Sequence, residues 1–267
     1  MNYLIFEKIQ DLKMIVTPIK TNLVQEGDNL FEIISKNIKK LSEKSILVVT
    51  AKIISICQGR IVGKKTDNKS GPEKHKLIQE EADYYLDALE SKYDVMLTIK
   101  NNILGINAGI NESNANDKYI LLSKNVQNIT NSIWRFLRKQ YSIKKIGVII
   151  ADSTILPLRW GTIGIAISYC GFKPLYEYQN GRDIFGKKLS FSQTNIVDAL
   201  TIAAVSEMGE AGEKKPFCLI EGVSNKVIFQ NRAPNQKELK GFLIDIKNDI
   251  FFPFLRKANW KKGKGGL

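Results

Sequence analysis

The sequence predicts an α+β fold of mixed sheets with flanking helices. Three observations carry that expectation: segments with apolar residues at helical spacing, short β-branched runs too apolar to face water on either side, and no regular alternation between the two of the kind a doubly wound fold requires. The 267 residues suffice for a large core, as one elaborate domain or two smaller ones, and 43% hydrophobic with 25% charged residues reads as globular rather than disordered.

The elements follow in order. After a short apolar start, GDNLFEIISKNIKKL sets Leu30, Ile33, Ile34, Ile38 and Leu41 at helical spacing behind Asp28, the expected N-cap of a surface helix. The β-branched run SILVVTAKIISICQGRIV predicts one buried strand over Ile46 to Ile56. GKKTDNKSGPEKH is polar and punctuated by Gly and Pro, which predicts a mobile loop, and a helix is expected from about Lys74 to Leu89. Between Leu97 and Leu122, short strands are interrupted by the turn-rich INAGINESNANDK. A helix over NSIWRFLRKQY leads into KIGVIIADS, a buried strand expected to end at Asp152-Ser153. Strand-like pieces run from Gly161 to about Leu189. TNIVDALTIAAVSEMG then predicts a helix with Ile196, Val197, Leu200, Ala203, Ala204 and Met208 on one face and Gly209 closing it. FCLIEGV is a last buried strand, and residues 225–267 read as a helical, basic extension whose end, RKANWKKGKGGL, is expected to fray. There is no internal repeat.

Composition removes several classes of function. No run approaches about 18 uninterrupted apolar residues, and the first residues, MNYLIFEKIQDLK, carry charges where a signal core would lie, so a cytoplasmic protein without membrane contact is expected. Cys57, Cys170 and Cys218 are odd in number, far apart and flanked by apolar residues resembling strand interior, which points to buried free thiols. The net charge of +13 invites an anionic partner, yet the lysines are spread and no nucleic-acid-binding motif is present, so a solvated lysine-rich surface is favoured over a nucleic-acid groove. The single histidine, His75, lies in a polar stretch and is expected to be exposed, which argues against Ser-His-Asp, Cys-His and His-ligated zinc chemistry. Catalysis would have to run on carboxylates, amides, hydroxyls, lysines and bound metal.

Three loops behind buried segments carry such groups: Asn107 to Asn114, Ala151 to Thr154, and Met208 to Glu213. Asp152-Ser153 offers a hard anionic oxygen and a hydroxyl, which suits magnesium or manganese; taken alone, Asp152 reads equally as a turn cap. GRDIFGKK, from Gly181 to Lys188, fits G-x-x-x-x-G-K but places Lys188 where a metal-binding Ser or Thr belongs. It reads as a turn, with Arg182 and Lys187 available to phosphates, and GTIGIAI lacks the third glycine of a dinucleotide fingerprint.

Taken in order, TPIKTNLVQEGDNL, VVTAKIISICQGRIV, NAGINESN, VIIADSTILPLRWGTIGIAI, NGRDIFGKKLS and MGEAGEKKPFCLIEGV resemble the coenzyme F420-0:L-glutamate ligases and related folate-metabolism γ-glutamate ligases, over roughly four fifths of the chain. The resemblance implies that residues 15–224 form a γ-glutamyl ligase-like catalytic region of an intertwined homodimer. It implies GTP (or ATP) as cosubstrate, Mg2+ or Mn2+, and L-glutamate joined through its amine to a small carboxylate acceptor by way of an acyl phosphate. By position, Pro18, Ile19, Ala51, Lys52, Asn114 and Glu210 fall at nucleotide contacts, and Asn111, Asp152, Ser153 and Glu210 at metal positions, with Asp152 and Lys52 as the catalytic residues. Lys52 or Arg159 would neutralise phosphate oxygens, with a surface salt bridge an equal reading for Arg159.

The chain also departs from that family. Asn111 stands for a metal-site Asp, Glu210 for a Gln, Ser153 for a Thr, Ile56 for a lysine, and Ile155 to Leu158 for a Gly-Arg-Pro-Trp segment. Fewer cations around a phosphate-rich site argue for a folate-like acceptor over the phosphodiester-bearing deazaflavin F420-0. The alternative is a non-catalytic nucleotide- or nucleic-acid-binding protein on the same scaffold.

Overall fold

The computed structural model describes residues 13–64, 71–88, 92–178, 181–189 and 192–265. In chain order the elements are β1 (Ile15–Ile19), α1 (Leu30–Asn37), β2 (Ser45–Thr50), α2 (Ala51–Cys57), β3 (Ile61–Gly63), α3 (Pro72–Glu81), β4 (Tyr84–Tyr85), β5 (Leu97–Lys100), β6 (Ile103–Ile106), β7 (Lys118–Ile120), α4 (Val126–Gln140), β8 (Ile146–Ile155), β9 (Thr162–Cys170), β10 (Leu175–Glu177), β11 (Gln193–Asn195), α5 (Ile196–Met208), β12 (Phe217–Glu221), α6 (Gln236–Phe242), α7 (Phe252–Leu255) and β13 (Lys261–Lys262).

The main sheet has the order β1-β12-β2-β8-β9, with the β2–β8 pair parallel and the others antiparallel. Alternate side chains of the same strands serve two cores. Leu47, Val49, Val148, Ile150 and Phe217 pack against α1, α2 and α4 through Ile34, Ile54, Ile133 and Leu137. Ile46, Val48, Ile149, Ala151, Cys218 and Ile220 face α5. Covering both faces is what makes β2 and the start of β8 continuous apolar runs. A smaller sheet, β13-β4-β5-β6, and the β3–β7 pair enclose a third cluster that includes Ile78, Met96, Ala108 and Tyr119. The α+β class with mixed sheets is as expected. Among the described residues no helix is long and apolar enough to cross a membrane.

Several expected boundaries shift. The strand expected over Ile46 to Ile56 ends at Thr50, and Ala51–Cys57 is helical, with the Thr50 hydroxyl accepting the Lys52 N–H at 3.4 Å. A short apolar run has no period to separate strand from helix, and packing of Ile53 and Ile54 into the core decides it. Cys57 therefore closes a helix, half-buried, whereas Cys170 and Cys218 are buried in strands; all three thiols are free. The cap of α1 is Asn29, whose side chain accepts from Phe31 N–H at 3.0 Å, while Asp28 accepts from Gln25 N–H. Helix α3 stops at Glu81 and Tyr84–Tyr85 is already strand. Leu89 lies outside the described residues, as do residues 65–70 of the polar loop, residues 1–12 and Asn180. Helix α4 starts at Val126, ahead of NSIWRFLRKQY, and β8 runs past Asp152-Ser153 to Ile155.

As far as Gly265, the last described residue, the basic stretch is paired rather than frayed. Lys261–Lys262 pairs with Tyr84–Tyr85, and the Gly263, Lys264 and Gly265 amides donate to the carbonyls of Asp83, Gln79 and Ala82. Those bonds satisfy carbonyls left open at the end of α3, which is why a lysine-rich stretch holds a fixed path. His75 is half-buried rather than exposed, with Nε2 2.9 Å from Asp94. GRDIFGKK is a turn, closed by the Arg182–Lys188 bridge.

Gly171 joins β9 to the α4 layer at φ +85°, and a Cβ there would stand 2.2 Å from the Ile146 carbonyl oxygen and 2.4 Å from Trp134 Nε1, which itself donates to that oxygen at 3.0 Å. Gly171→Ala combines an unfavourable φ with overpacking against backbone, so we expect a loss of about 2–5 kcal/mol in urea unfolding. A loss under about 1 kcal/mol would show that the approach is not this close.

Candidate active site

The carboxyl ends of the parallel pair β2 and β8 open onto a cavity of about 220 Å³. The crevice at the carboxyl ends of parallel strands is a recurrent ligand position, because the chain turns away there and leaves backbone and side-chain polar groups facing outward. Four segments line it: Thr21 to Val24 after β1, Thr50 with Lys52, Ile53 and Ile56 from the β2–α2 junction, Ala151 to Ser153 of β8, and Gly209 to Pro216 between α5 and β12. Asn111 and Asn114 close the side.

Each functional side chain is aimed by local structure. Opposite the Ile150–Ala151 step, β9 carries a bulge. The adjoining Ala166 N–H donates to Asp198 of α5 at 2.8 Å, and Asp198 is itself capped by Asn195. The bulge fixes the end of β8 on which Asp152 and Ser153 sit. Asn107, Ala108 and Gly109 all have positive φ, and this left-handed turn is held by Asn107 Oδ1 accepting Met96 N–H at 3.0 Å and Thr98 Oγ1 accepting Ala108 N–H at 2.9 Å. It delivers Asn111, whose Nδ2 donates to Gly109 O at 3.2 Å, to the cavity. A side chain on Gly109 would come within 3.3 Å of Asp152 Oδ2, so glycine there leaves room behind the carboxylate.

Ser153 Oγ donates to Glu210 Oε1 at 2.6 Å, and Asp152 Oδ1 accepts the Ser153 N–H at 2.9 Å. Lys52 Nζ donates to Ser113 Oγ at 3.0 Å. Burial pushes the Asp152 carboxyl up to about 6; Lys52 and the Ser153 amide pull it down without reversing the shift, and Glu210 adds to it. Burial lowers the Lys52 ammonium, against the opposing pull of Asp152 and Glu210.

Of the residues singled out in the sequence, Lys52, Asn111, Asn114, Asp152, Ser153 and Glu210 converge on this cavity. Pro18 and Ile19 lie in β1, paired with Cys218 and Phe217, and the cavity is lined instead by Thr21 to Val24 just beyond them. Ala51 is buried in the core beside Thr50. Arg159, Arg182, Lys187 and His75 are not among the lining residues. Sequence reasoning passed over Ser113, Thr50 and Lys214, although each stands within or beside a motif it had marked; nothing in one dimension says that Ser113 meets Lys52 across 61 positions.

The donor set is two carboxylates, a hydroxyl and an amide, all hard oxygens. Among the described residues no group of three or more His, Cys, Asp or Glu is assembled. The hard-oxygen donor set itself suits a cation such as magnesium, which keeps waters and takes other ligands from phosphates. A desolvated carboxyl beside a second carboxylate is also a place where a cation offsets the cost of burial.

Fold and site define an α+β protein in which carboxylates and a lysine converge on one cavity, the equipment of an enzyme that handles charged substrates. The sequence profile described as F420-0:Gamma-glutamyl ligase matches residues 18–222, and the chain belongs to that family and is a ligase that forms an amide bond. It is similar to the coenzyme F420:L-glutamate ligase of Archaeoglobus fulgidus, 28% identical over 211 residues, covering 76% of this chain and 84% of that protein. The Methanocaldococcus jannaschii counterpart is also 28% identical over 211 residues, covering 74% and 83%. That of Methanopyrus kandleri is 26% identical over 242 residues, covering 85% and 93%.

The Asp152 shift has a stability consequence. Its folded value of about 6 lies above the ordinary 3.8, so the folded state holds this proton more tightly than the unfolded chain does. In chelator, stability should therefore fall as pH rises from about 4 through about 6, by at most about 3 kcal/mol from this group. Asp152→Asn should lose that component, read as the difference in urea midpoints between pH 4.5 and 7. An identical pH dependence in the variant would show that the carboxyl is not desolvated.

Proposed function

We propose that this γ-glutamyl ligase joins the amine of L-glutamate to a small carboxylate acceptor in the cavity at the ends of β2 and β8, using GTP (or ATP) and Mg2+ or Mn2+. The observation that carries the reading is the convergence of Lys52, Asn111, Asn114, Asp152, Ser153 and Glu210 on one cavity. The acceptor carboxylate attacks the terminal phosphoryl group, giving an acyl phosphate and nucleoside diphosphate. The glutamate amine then attacks the acyl carbon, and phosphate leaves as the amide forms. Lys52, on the same cavity as both carboxylates, neutralises phosphate oxygens once it releases Ser113. Asp152, Ser153, Asn111 and Glu210 would hold the metal, which supplies charge stabilisation to the transferring phosphoryl group. With Asn111 in place of the family Asp and Glu210 in place of the family Gln, the total ligand charge is conserved.

For the acceptor, Ile56 lines the cavity with Leu23, Val24 and Ile53, an apolar wall that suits a flat ring. This supports a folate-like acceptor, while the similar archaeal proteins are named for coenzyme F420. With labelled glutamate, nucleotide and Mg2+ or Mn2+, a product heavier by one glutamate is expected, abolished by chelator, with higher kcat/KM for the folate than for the deazaflavin precursor. The reverse order would assign the acceptor named for the archaeal proteins, and no product with either would overturn both acceptor assignments.

The reading includes a homodimer. Leu158 and Trp160, in the β8–β9 turn, and Ile184 and Phe185, in the turn between β10 and β11, are 97%, 91%, 92% and 89% exposed, large apolar side chains that a second copy of the chain would cover. Light scattering should return twice the mass of one 30.2 kDa chain; a monomer at micromolar concentration would remove this element.

A further inference from the structure

We propose that Glu213 is a positioning residue for Glu210, and that it sets the metal affinity of the site without touching the metal; the inference rests on the hard-oxygen reading given above. Glu210 is exposed on the turn that follows α5, where Gly209 adopts φ +81° and no regular element holds the backbone. An exposed carboxylate on such a turn samples many rotamers, and ordering it opposes binding. The turn is nevertheless fastened. Glu213 is half-buried, and its Oε2 accepts the Ala211 N–H at 2.8 Å. Its carboxyl group also fills the space beside Gly209, where a Cβ would lie 2.5 Å from Glu213 Cδ. From the other side, Asn114 Nδ2 donates to the Ala211 carbonyl at 2.8 Å.

The Ala211 N–H belongs to the peptide plane that leaves the Glu210 Cα. With the chain before Glu210 also anchored, through the Gly209 N–H to Val205 O bond at 3.0 Å, holding that plane restricts the direction in which the Glu210 side chain departs, toward the Ser153 hydroxyl at 2.6 Å. Glu213 thus acts through the backbone. A charge-assisted bond to an amide is among the stronger hydrogen bonds, and this one closes a loop of only two residues, so its entropic cost is low. The physical content of the proposal is preorganisation: Glu213 and Asn114 clamp one residue so that its neighbour meets a cation without reordering.

The test uses the full chain and Mn2+ alone, titrated by calorimetry, with hydrogen exchange at the Ala211 amide and a melting curve for each variant. Glu213→Ala should weaken Mn2+ binding by about tenfold, as loss of an outer supporting group typically does. It should also speed exchange at Ala211 and leave the melting temperature near that of the unsubstituted chain. Glu213→Gln keeps an oxygen that can accept the Ala211 N–H and should restore most of both the affinity and the protection. Unchanged affinity in Glu213→Ala, when the unsubstituted chain binds Mn2+, would overturn the inference alone. Equal weakness of the Gln and Ala variants would also overturn it, because the charge would then be acting directly. Failure of the unsubstituted chain to take up Mn2+ would remove the metal reading and this inference with it.

Discussion

The parallel pairing of β2 with β8, sealed between a helical layer on each face, is the constraint on which the remaining structure depends. Side chains of both strands are buried above and below the sheet, so their backbone amides have no partner but the ladder. Polar function is thereby excluded from the middle of the sheet and gathered where the two strands end together, at Thr50 and Ala151. Helix α2 begins at one of these ends, and the Asp152-Ser153 pair follows at the other. The bulge in β9, tied to Asp198, lets β8 leave the buried pair without losing its neighbour. The site is a consequence of how the core terminates.

Two opposing effects meet at Asp152, and their order is informative. An ammonium near a carboxyl would ordinarily hold it below its usual range, by an amount that falls with distance. Here the carboxyl goes up, which means that desolvation and the Glu210 charge outweigh Lys52. Lys52 in turn is lowered by its own burial and directs its ammonium to Ser113. Both partners are thus less satisfied by each other than by a further charged ligand: a cation for Asp152 and Glu210, an anion for Lys52. That pattern supports the proposed pairing of a nucleotide and a divalent ion in this cavity.

The left-handed run at Asn107 to Gly109 stores cost for the same site. Ala108 has φ 51° and is almost fully buried, a conformation costing roughly 1–2 kcal/mol for a residue with a Cβ. Hydrogen bonds from Met96 and to Thr98 hold it against that cost. The smaller sheet that supplies them is itself braced by the C-terminal strand β13 on β4, so residues far outside the family match contribute to the frame behind Asn111.

Much of this was legible in one dimension. Helix α5 showed its buried face and its closing glycine, and the run into Asp152 showed a two-sided strand, because hydrophobic periodicity and capping are local properties. The ordered blocks around Asn111, Asp152 and Glu210 carried the family. Other features are not local and could not be read. SILVVTAKIISIC has the same apolar texture throughout, and only the space between the sheet and α1 turns its second half into a helix that brings Lys52 to the cavity. The lysine-rich end looked like a tail because its partners, the open carbonyls of α3, lie about 180 positions earlier. Pairings such as Lys52 with Ser113, Ser153 with Glu210 and Asn114 with Ala211 join segments with no sequence relation. The sequence, through its resemblance to a family, named candidate residues, and only some of them reach the cavity; tertiary structure alone decided which of them meet, because convergence on a cavity is set by how the buried strands end.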